Sequence, residues 1–557
     1  MSLDSPFSEK LRKNHIAQPE EEAGIRAVIE HHRTIVRELD VQQKDIDQAI
    51  MALIRQKKAV RGIRDTHQKF IDDHQSLLSS VLHLPEDVLS KIFMESVPLE
   101  DQWPRIHPIV QISHVCRQWR DSALSNPMLW SALEVNNISL PKPRPRSEPD
   151  LQQFERRMRR LADMFSVLLS RAAGSPMTLS MRAEDPTAQH AMPAYGRSVL
   201  PVITVLRQNR WETTRLHLTP RHPDSPLLQL LQFDPRSYQS LRDLVIICSP
   251  ESGSRVPGIV GHLNLHDLEQ LSVLHLDLGH VNPLDIRIRW KTLTEIHLYT
   301  TLLAVDALRL MAQCPNLTRL TVGIFDTHPS SQSLYPPRSV TMPCLRSLRL
   351  IGETEGVLQS LVLPALSTFQ IMEMSNHRLE SAVPQWFRTY GAQLKRVAFN
   401  YDCIDVPALL SCFKYLSGAV SLEVGPSPKP ADRDGGNEGE ALSVAHRTIL
   451  GALTVKRDDT GALIPVCPKL ENLIVHAPDL KTEIGEWAEL FASRRGSLQG
   501  APTFLKAAQI RLPDPGYAEQ VTVLSRYSGV YGELARRGVS TNRIEFLLEK
   551  DVRWADY

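Results

Sequence analysis

One apolar pattern keeps returning between residues 213 and 512: an apolar residue, two others, an apolar residue, one other, then a third apolar residue. It reads Leu241-Leu244-Ile246, Leu271-Leu274-Leu276, Leu293-Ile296-Leu298, Leu317-Leu320-Val322, Leu345-Leu348-Leu350, Leu366-Phe369-Ile371, Leu394-Val397-Phe399 and Leu470-Leu473-Val475. Weaker copies stand at Thr213-Leu216-Leu218, Ala419-Leu422-Val424 and Ala507-Ile510-Leu512, and an early one at Trp130-Leu133-Val135. The closing alternation is the period of a strand with one buried face. From Leu271 to Leu394 the steps between first positions are 22, 24, 28, 21 and 28 residues. Each copy is too short to bury its apolar face alone, so the units must stack on their neighbours. Several copies follow a helical stretch and a proline corner, as in Cys314-Pro315-Asn316-Leu317, Met342-Pro343-Cys344-Leu345 and Cys467-Pro468-Lys469-Leu470.

This pattern, with its period in the range of roughly 20–29 residues, resembles leucine-rich repeats. The resemblance implies an α/β fold: an irregular leucine-rich-repeat solenoid over residues 151–557, a strand plus a helix or turn in each repeat. The asparagine that usually follows the strand is mostly missing. Gly279, Gly323 and Gly352 stand near its place, which implies irregular curvature. Residues 136–150, with Pro141-Lys142-Pro143-Arg144-Pro145-Arg146, read as a proline-rich linker. Residues 425–440 are poor in apolar side chains and read as a mobile excursion. In such a solenoid the residues between the core apolar positions face outward. These are His217, His275, Asp277, His297, Tyr299, Arg319, Arg349, Gln370, Asn400 and His476. A mixed aromatic, basic and polar face suits protein recognition, and a plain solvated sheet face is the alternative. His275, His297, Tyr299, Arg319, Arg349, Gln370 and Asn400 are the candidate target-binding residues.

Residues 1–81 carry a different period. From Ile25 to Val81 a heptad phase runs without interruption, and twelve of the seventeen a and d positions are apolar. That predicts a long amphipathic, coiled-coil-like helix. Ile29, Val36, Ile50, Ile71 and Leu78 widen the stripe at the e positions, which favours packing against other helices over a simple parallel pair. Gly62 falls at an outward c position. One helix through it is expected, and a hairpin broken near 57–64 is the alternative. His32, His67 and His74 read as tolerated polar residues on a partly exposed seam.

Residues 82–135 form a third region. Leu84-Pro85 precedes Glu86 and Asp87, a proline and two carboxylates suited to a helix N-terminus. Val88, Leu89, Ile92 and Phe93 follow at helical spacing, predicting a short helix over 85–95. After a proline-rich spacer, Ile112, Val115, Cys116, Trp119 and Ala123 predict a second helix over 109–124. Asn126-Pro127 then starts a third short helix with Met128, Leu129 and Trp130. The order L-P-x-x-V-L-x-x-I-F, V-C-R-x-W-R, N-P-x-L-W is similar to F-box proteins, and especially to the large group expanded in basidiomycete fungi with an N-terminal coiled segment. The resemblance implies a three-helix F-box that binds a Skp-type adaptor, and through it a cullin. The adaptor-binding residues it implies are Leu84, Pro85, Val88, Leu89, Ile92, Phe93, Val115, Cys116 and Trp119. Trp119 and Trp130 also fit a purely structural role in the core.

Composition bounds the rest. The 557 residues hold 64 basic and 63 acidic side chains, a net of +1, which argues against nucleic acid as a partner. Arg156, Arg157, Arg159 and Arg160 read as a solvated helix face. Seven scattered cysteines with no C-x-x-C fit reduced thiols in the cytoplasm or nucleus and exclude a RING-type zinc site. No apolar run suits a signal peptide or a membrane span. His262, His266, His275 and His280 lack the carboxylate or cysteine support of a metal site, and none is expected. No phosphate-binding loop, dinucleotide fingerprint, nucleophile elbow or H-E-x-x-H occurs, so neither an enzyme nor a cofactor is expected. The expected function is the substrate-recognition subunit of an SCF-type ubiquitin ligase, with the solenoid holding an unknown protein target and the long helix available for self-association. A protein-interaction scaffold is the alternative.

Overall fold

A computed structural model describes residues 5–11, 15–78, 84–96, 107–136, 138, 148–172, 174–187, 191–248, 259–279, 281–325, 339–352, 354–372, 382–400, 406–426, 438–457, 463–477, 484–495, 505–513 and 520–549. Val81, the 97–106 spacer, Pro141–Arg146, His280, Cys403 and most of the expected 425–440 excursion lie outside them. The chain divides into two compact units, one of Met1–Glu95 with His114–Ser122 and one of Ser96–Ser113 with Ala123–Tyr557. This partition divides the 82–135 region between them.

In the first unit the N-terminal helix, α1, runs unbroken over Pro19–Leu77. It begins with Glu20, Glu21 and Glu22, where the helix dipole favours carboxylates. Gly62 lies in its interior with open space around it, so the hairpin alternative does not form. Ion pairs such as Arg26–Glu22 and Arg37–Glu30 lace the polar face. The second helix, α2, spans Glu86–Glu95. Its first helical hydrogen bond, from the Leu89 N–H to the Pro85 carbonyl at 3.0 Å, makes proline the start signal that the sequence implies.

The expected helix over 109–124 is two helices, α3 at Pro108–Ser113 and α4 at Arg117–Ser125. Local hydrogen bonding explains the break. The Ser113 hydroxyl donates to the Val110 carbonyl at 2.7 Å, competing with the helix ladder. Cys116 then caps α4: its sulfur accepts from the Trp119 N–H at 3.4 Å and its carbonyl from the Arg120 N–H at 3.1 Å. The third helix is a single turn, Pro127–Trp130, capped by Asn126 through the Met128 N–H.

Among the described residues, the second unit is built on a fourteen-stranded sheet whose strands follow chain order. They are β1 Ala132–Val135, β2 Thr178–Glu184, β3 Thr213–Thr219, β4 Asp243–Cys248, β5 Val273–Asp277, β6 Glu295–Leu303 and β7 Arg319–Phe325. The remaining seven are β8 Ser347–Gly352, β9 Thr368–Met372, β10 Arg396–Asn400, β11 Ser421–Gly425, β12 Asn472–His476, β13 Ala507–Pro513 and β14 Ile544–Glu549. Every pair in the sheet is parallel. Register aligns the apolar triplets: Leu244, Leu274, Ile296 and Leu320 form one buried row, and Ile246, Leu276, Leu298 and Val322 the next. Helices return the chain between many strands, among them α5 at Glu148–Ala172 and α6 at Met192–Arg207. Arg156, Arg157, Arg159 and Arg160 are exposed on α5, as their spacing implies.

Besides β3, whose weaker copy opens on Thr213, two strands, β2 and β14, carry no full triplet. The leading apolar position is Pro176 before Leu179-Met181 and Arg543 before Phe546-Leu548. Register with neighbours places them: Leu179 pairs with Leu133, and Phe546 with Ile510.

Candidate protein-interaction surfaces

The first surface lies on the first unit and is built by α2. Its apolar residues divide into two stripes one position apart. Leu89 and Phe93 point inward and are fully buried, and the Phe93 ring meets Trp119 with centroids 5.1 Å apart. Val88 and Ile92, each one residue earlier on the helix, remain 38 % and 45 % exposed. Pro85 is exposed and Leu84 half-buried. Pro85, Val88 and Ile92 therefore share one outward helix face, at i, i+3 and i+7. Val115 is exposed, in the turn before α4, while Cys116 and Trp119 are half-buried.

The nine positions expected to bind an adaptor thus separate by exposure. Leu89 and Phe93 are buried in the core, beneath the outward Val88 and Ile92. Cys116 serves as a helix cap. Met94 is a further exposed apolar residue on α2. In the second unit Leu124 and Met128 are also exposed, whereas Trp130 is core. The Trp130 indole donates to the Ala123 carbonyl at 2.8 Å, stacks on His107 and lies 4.7 Å from the Arg171 guanidinium. Burial holds the His107 imidazole below its ordinary value.

The second surface is one face of the large sheet. Strands β2 to β6 alternate between buried and partly exposed residues, with the apolar triplets on the buried face. His275 and His297 sit side by side in register on β5 and β6, their rings stacked at 4.0 Å. His297 Nε2 lies 2.9 Å from a Glu295 carboxylate oxygen, and the Arg319 guanidinium is 3.9 Å from the same oxygen. Burial holds the nearby Asp243 carboxyl above the usual carboxylate range. His275, Glu295 and His297 offer ligand atoms within 4.8 Å of one another, in a cluster already crossed by the Glu295 bonds to His297 and Arg319. Neither His262 nor His266 belongs to it: His262 contacts Gln232, and His266 contacts Asp267.

Tyr299 and Arg319 are exposed beside this cluster, and half-buried Arg349 reaches the Met372 sulfur. Gln370 and Asn400 are not presented; they are 2 % and 0 % exposed. From β9 to β11 both faces of the strands are largely buried. Met372 and Ala398 cluster there with Ile351, so small and apolar side chains occupy what the alternation implies is an outward row. His476, also read as outward, is buried at 2.8 Å from Glu423. Alternation along a strand sets the face a residue takes but carries no information on what covers that face.

Among the described residues no helix is long and apolar enough to cross a membrane. No curated protein matches the chain. Residues 81–135 match the F-box-like family model, so this stretch, which includes the exposed face of α2, is an F-box-like domain, a protein-interaction module.

Proposed function

We propose that the chain is the substrate-recognition subunit of an SCF-type ubiquitin ligase. The observation that carries this reading is the exposed apolar face of Pro85, Val88 and Ile92 within a segment matching the F-box-like family. A Skp-type adaptor covers that face and links the chain to a cullin. The parallel sheet is read as an irregular leucine-rich-repeat solenoid, and the partly open face carrying His275, His297, Tyr299, Arg319 and Arg349 holds a protein target. The chain is then no enzyme and needs no cofactor or metal. It accelerates modification by holding the target near a charged conjugating enzyme. Its place of action is the cytoplasm, the nucleus or both, and neither nucleic acid nor membrane is a partner. Self-association through α1 completes the proposed partner set.

The test is adaptor pull-down with Val88→Asp/Ile92→Asp and with the paired replacement of Leu84 and Pro85 by alanine. Both variants are expected to lose the adaptor while keeping the cooperative unfolding of the sheet. Undiminished capture by both would overturn the mechanism. A scaffold that does not deliver targets is favoured by the length of the exposed helix α1. The two readings part on turnover: a ligase subunit shortens the half-life of its bound protein, and a scaffold does not.

A further inference from the structure

The 59-residue helix α1 leaves its apolar seam uncovered. Leu39, Ile46, Leu53, Val60, Ile63 and Phe70 occupy a and d positions, and each is 55–63 % exposed. A helix of that length spans about 88 Å. An apolar stripe sustained over that distance is an association surface, because covering large apolar side chains removes them from water.

Charge and the shape of the stripe select its occupant. Residues 19–48 carry eight carboxylates and four basic side chains, whereas residues 49–77 carry three carboxylates and six basic side chains. A parallel pair would set acidic half on acidic half and basic on basic. An antiparallel pair sets each half on its opposite. The e positions agree. In a parallel pair e faces g, which would place Ile50 against Asp45 and Ile71 against Thr66 of the other chain. In an antiparallel pair e faces e. Centred near Met51, that register brings Ile29 onto Ile71, Ile50 onto its own copy and Leu39 onto Ile63.

The geometry points to a second copy of this chain, bound antiparallel along α1 in a two-fold dimer. The inference rests on the self-association proposed above and is independent of the adaptor, since the dimer forms whether or not α2 is covered. The experiment mixes full-length chains carrying light and heavy nitrogen isotopes, measures mass by sedimentation, and maps links made by an amine-reactive cross-linker. Lys44 of one chain stands level with Lys58 of the other along the axis of the proposed pair, on the outer face of each helix. A two-chain mass with isotopically mixed Lys44–Lys58 links is expected. Leu39→Glu/Leu53→Glu is expected to weaken the dimer by roughly 100-fold or more, because it places charge in the seam, while the cooperative unfolding of the sheet persists. A monomer, mixed links joining Lys69 to Lys69, or a dimer that survives the double substitution would each overturn the proposal. Adaptor pull-down from the same samples keeps its failure distinct from failure of the F-box reading.

Discussion

At the residue scale, burial decides which of the scattered polar groups can react. Cys248, Cys314, Cys412 and Cys467 are buried, and burial pushes each thiol up to about 12. Reaction with a thiol reagent needs the thiolate, so these four should resist labelling in the folded chain and yield only on denaturation. Cys344, which is exposed, and half-buried Cys116 should label first, as peptide mapping after a brief pulse would show. His107 offers a pH test. Burial depresses its imidazole below the ordinary 6.5, so the stability contributed by the neutral ring is present above that value and is lost as pH falls through the lowered one. The thermal midpoint of the wild-type chain should therefore drop on acidification toward about pH 5 more steeply than that of His107→Gln.

At the element scale, the glycines that stand where a repeat asparagine is expected have separate local reasons. Gly279 and Gly352 take positive φ, 63° and 96°, at strand ends. Gly323 instead lies within β7, where an added Cβ would meet the Thr301 methyl at 3.0 Å, beside the bulge that shifts β6 register between Leu298 and Thr301. Gly352 is the most constrained, because a Cβ there would stand 2.2 Å from the Ile324 carbonyl oxygen of the neighbouring strand. Gly352→Ala should cost more than about 2 kcal/mol in chemical denaturation, since neither the backbone angle nor that oxygen can yield cheaply. A neutral result would mean that β8 ends differently. The α2 helix shows how close readable and unreadable information can lie. Periodicity found all four of Val88, Leu89, Ile92 and Phe93. The packing of Phe93 on Trp119 decided that only the stripe of Val88 and Ile92 faces outward.

At the scale of the whole molecule, the sheet needs ties between successive turns of chain. Arg494 provides one. It is almost fully buried and donates to three carbonyls: Leu453 at 2.5 Å, Val466 at 2.6 Å and Cys467 at 3.4 Å. These belong to the end of helix Glu438–Leu453 and to the proline corner before β12, whose Cys467 takes positive φ. Arg494→Ala would leave buried carbonyls unsatisfied and should lower the unfolding free energy by about 3 kcal/mol or more. Arg494→Lys should not restore it, because a single ammonium cannot reproduce the planar fork.

The amino-acid sequence by itself determined where strands form, where the N-terminal helix runs and which stretch is F-box-like. Those properties are set by local period: an i, i+2 apolar alternation buries one strand face, a heptad marks one helix face, and Leu84-Pro85 starts a helix whatever surrounds it. Only the tertiary structure decided that β2 and β14 join the sheet without a leading apolar residue, since register is imposed by the strand next door. It alone decided that Gln370, Asn400 and His476 are covered while His275, His297 and Arg319 form a polar cluster. Exposure is a property of what packs above a residue, and that depends on segments far away in the chain.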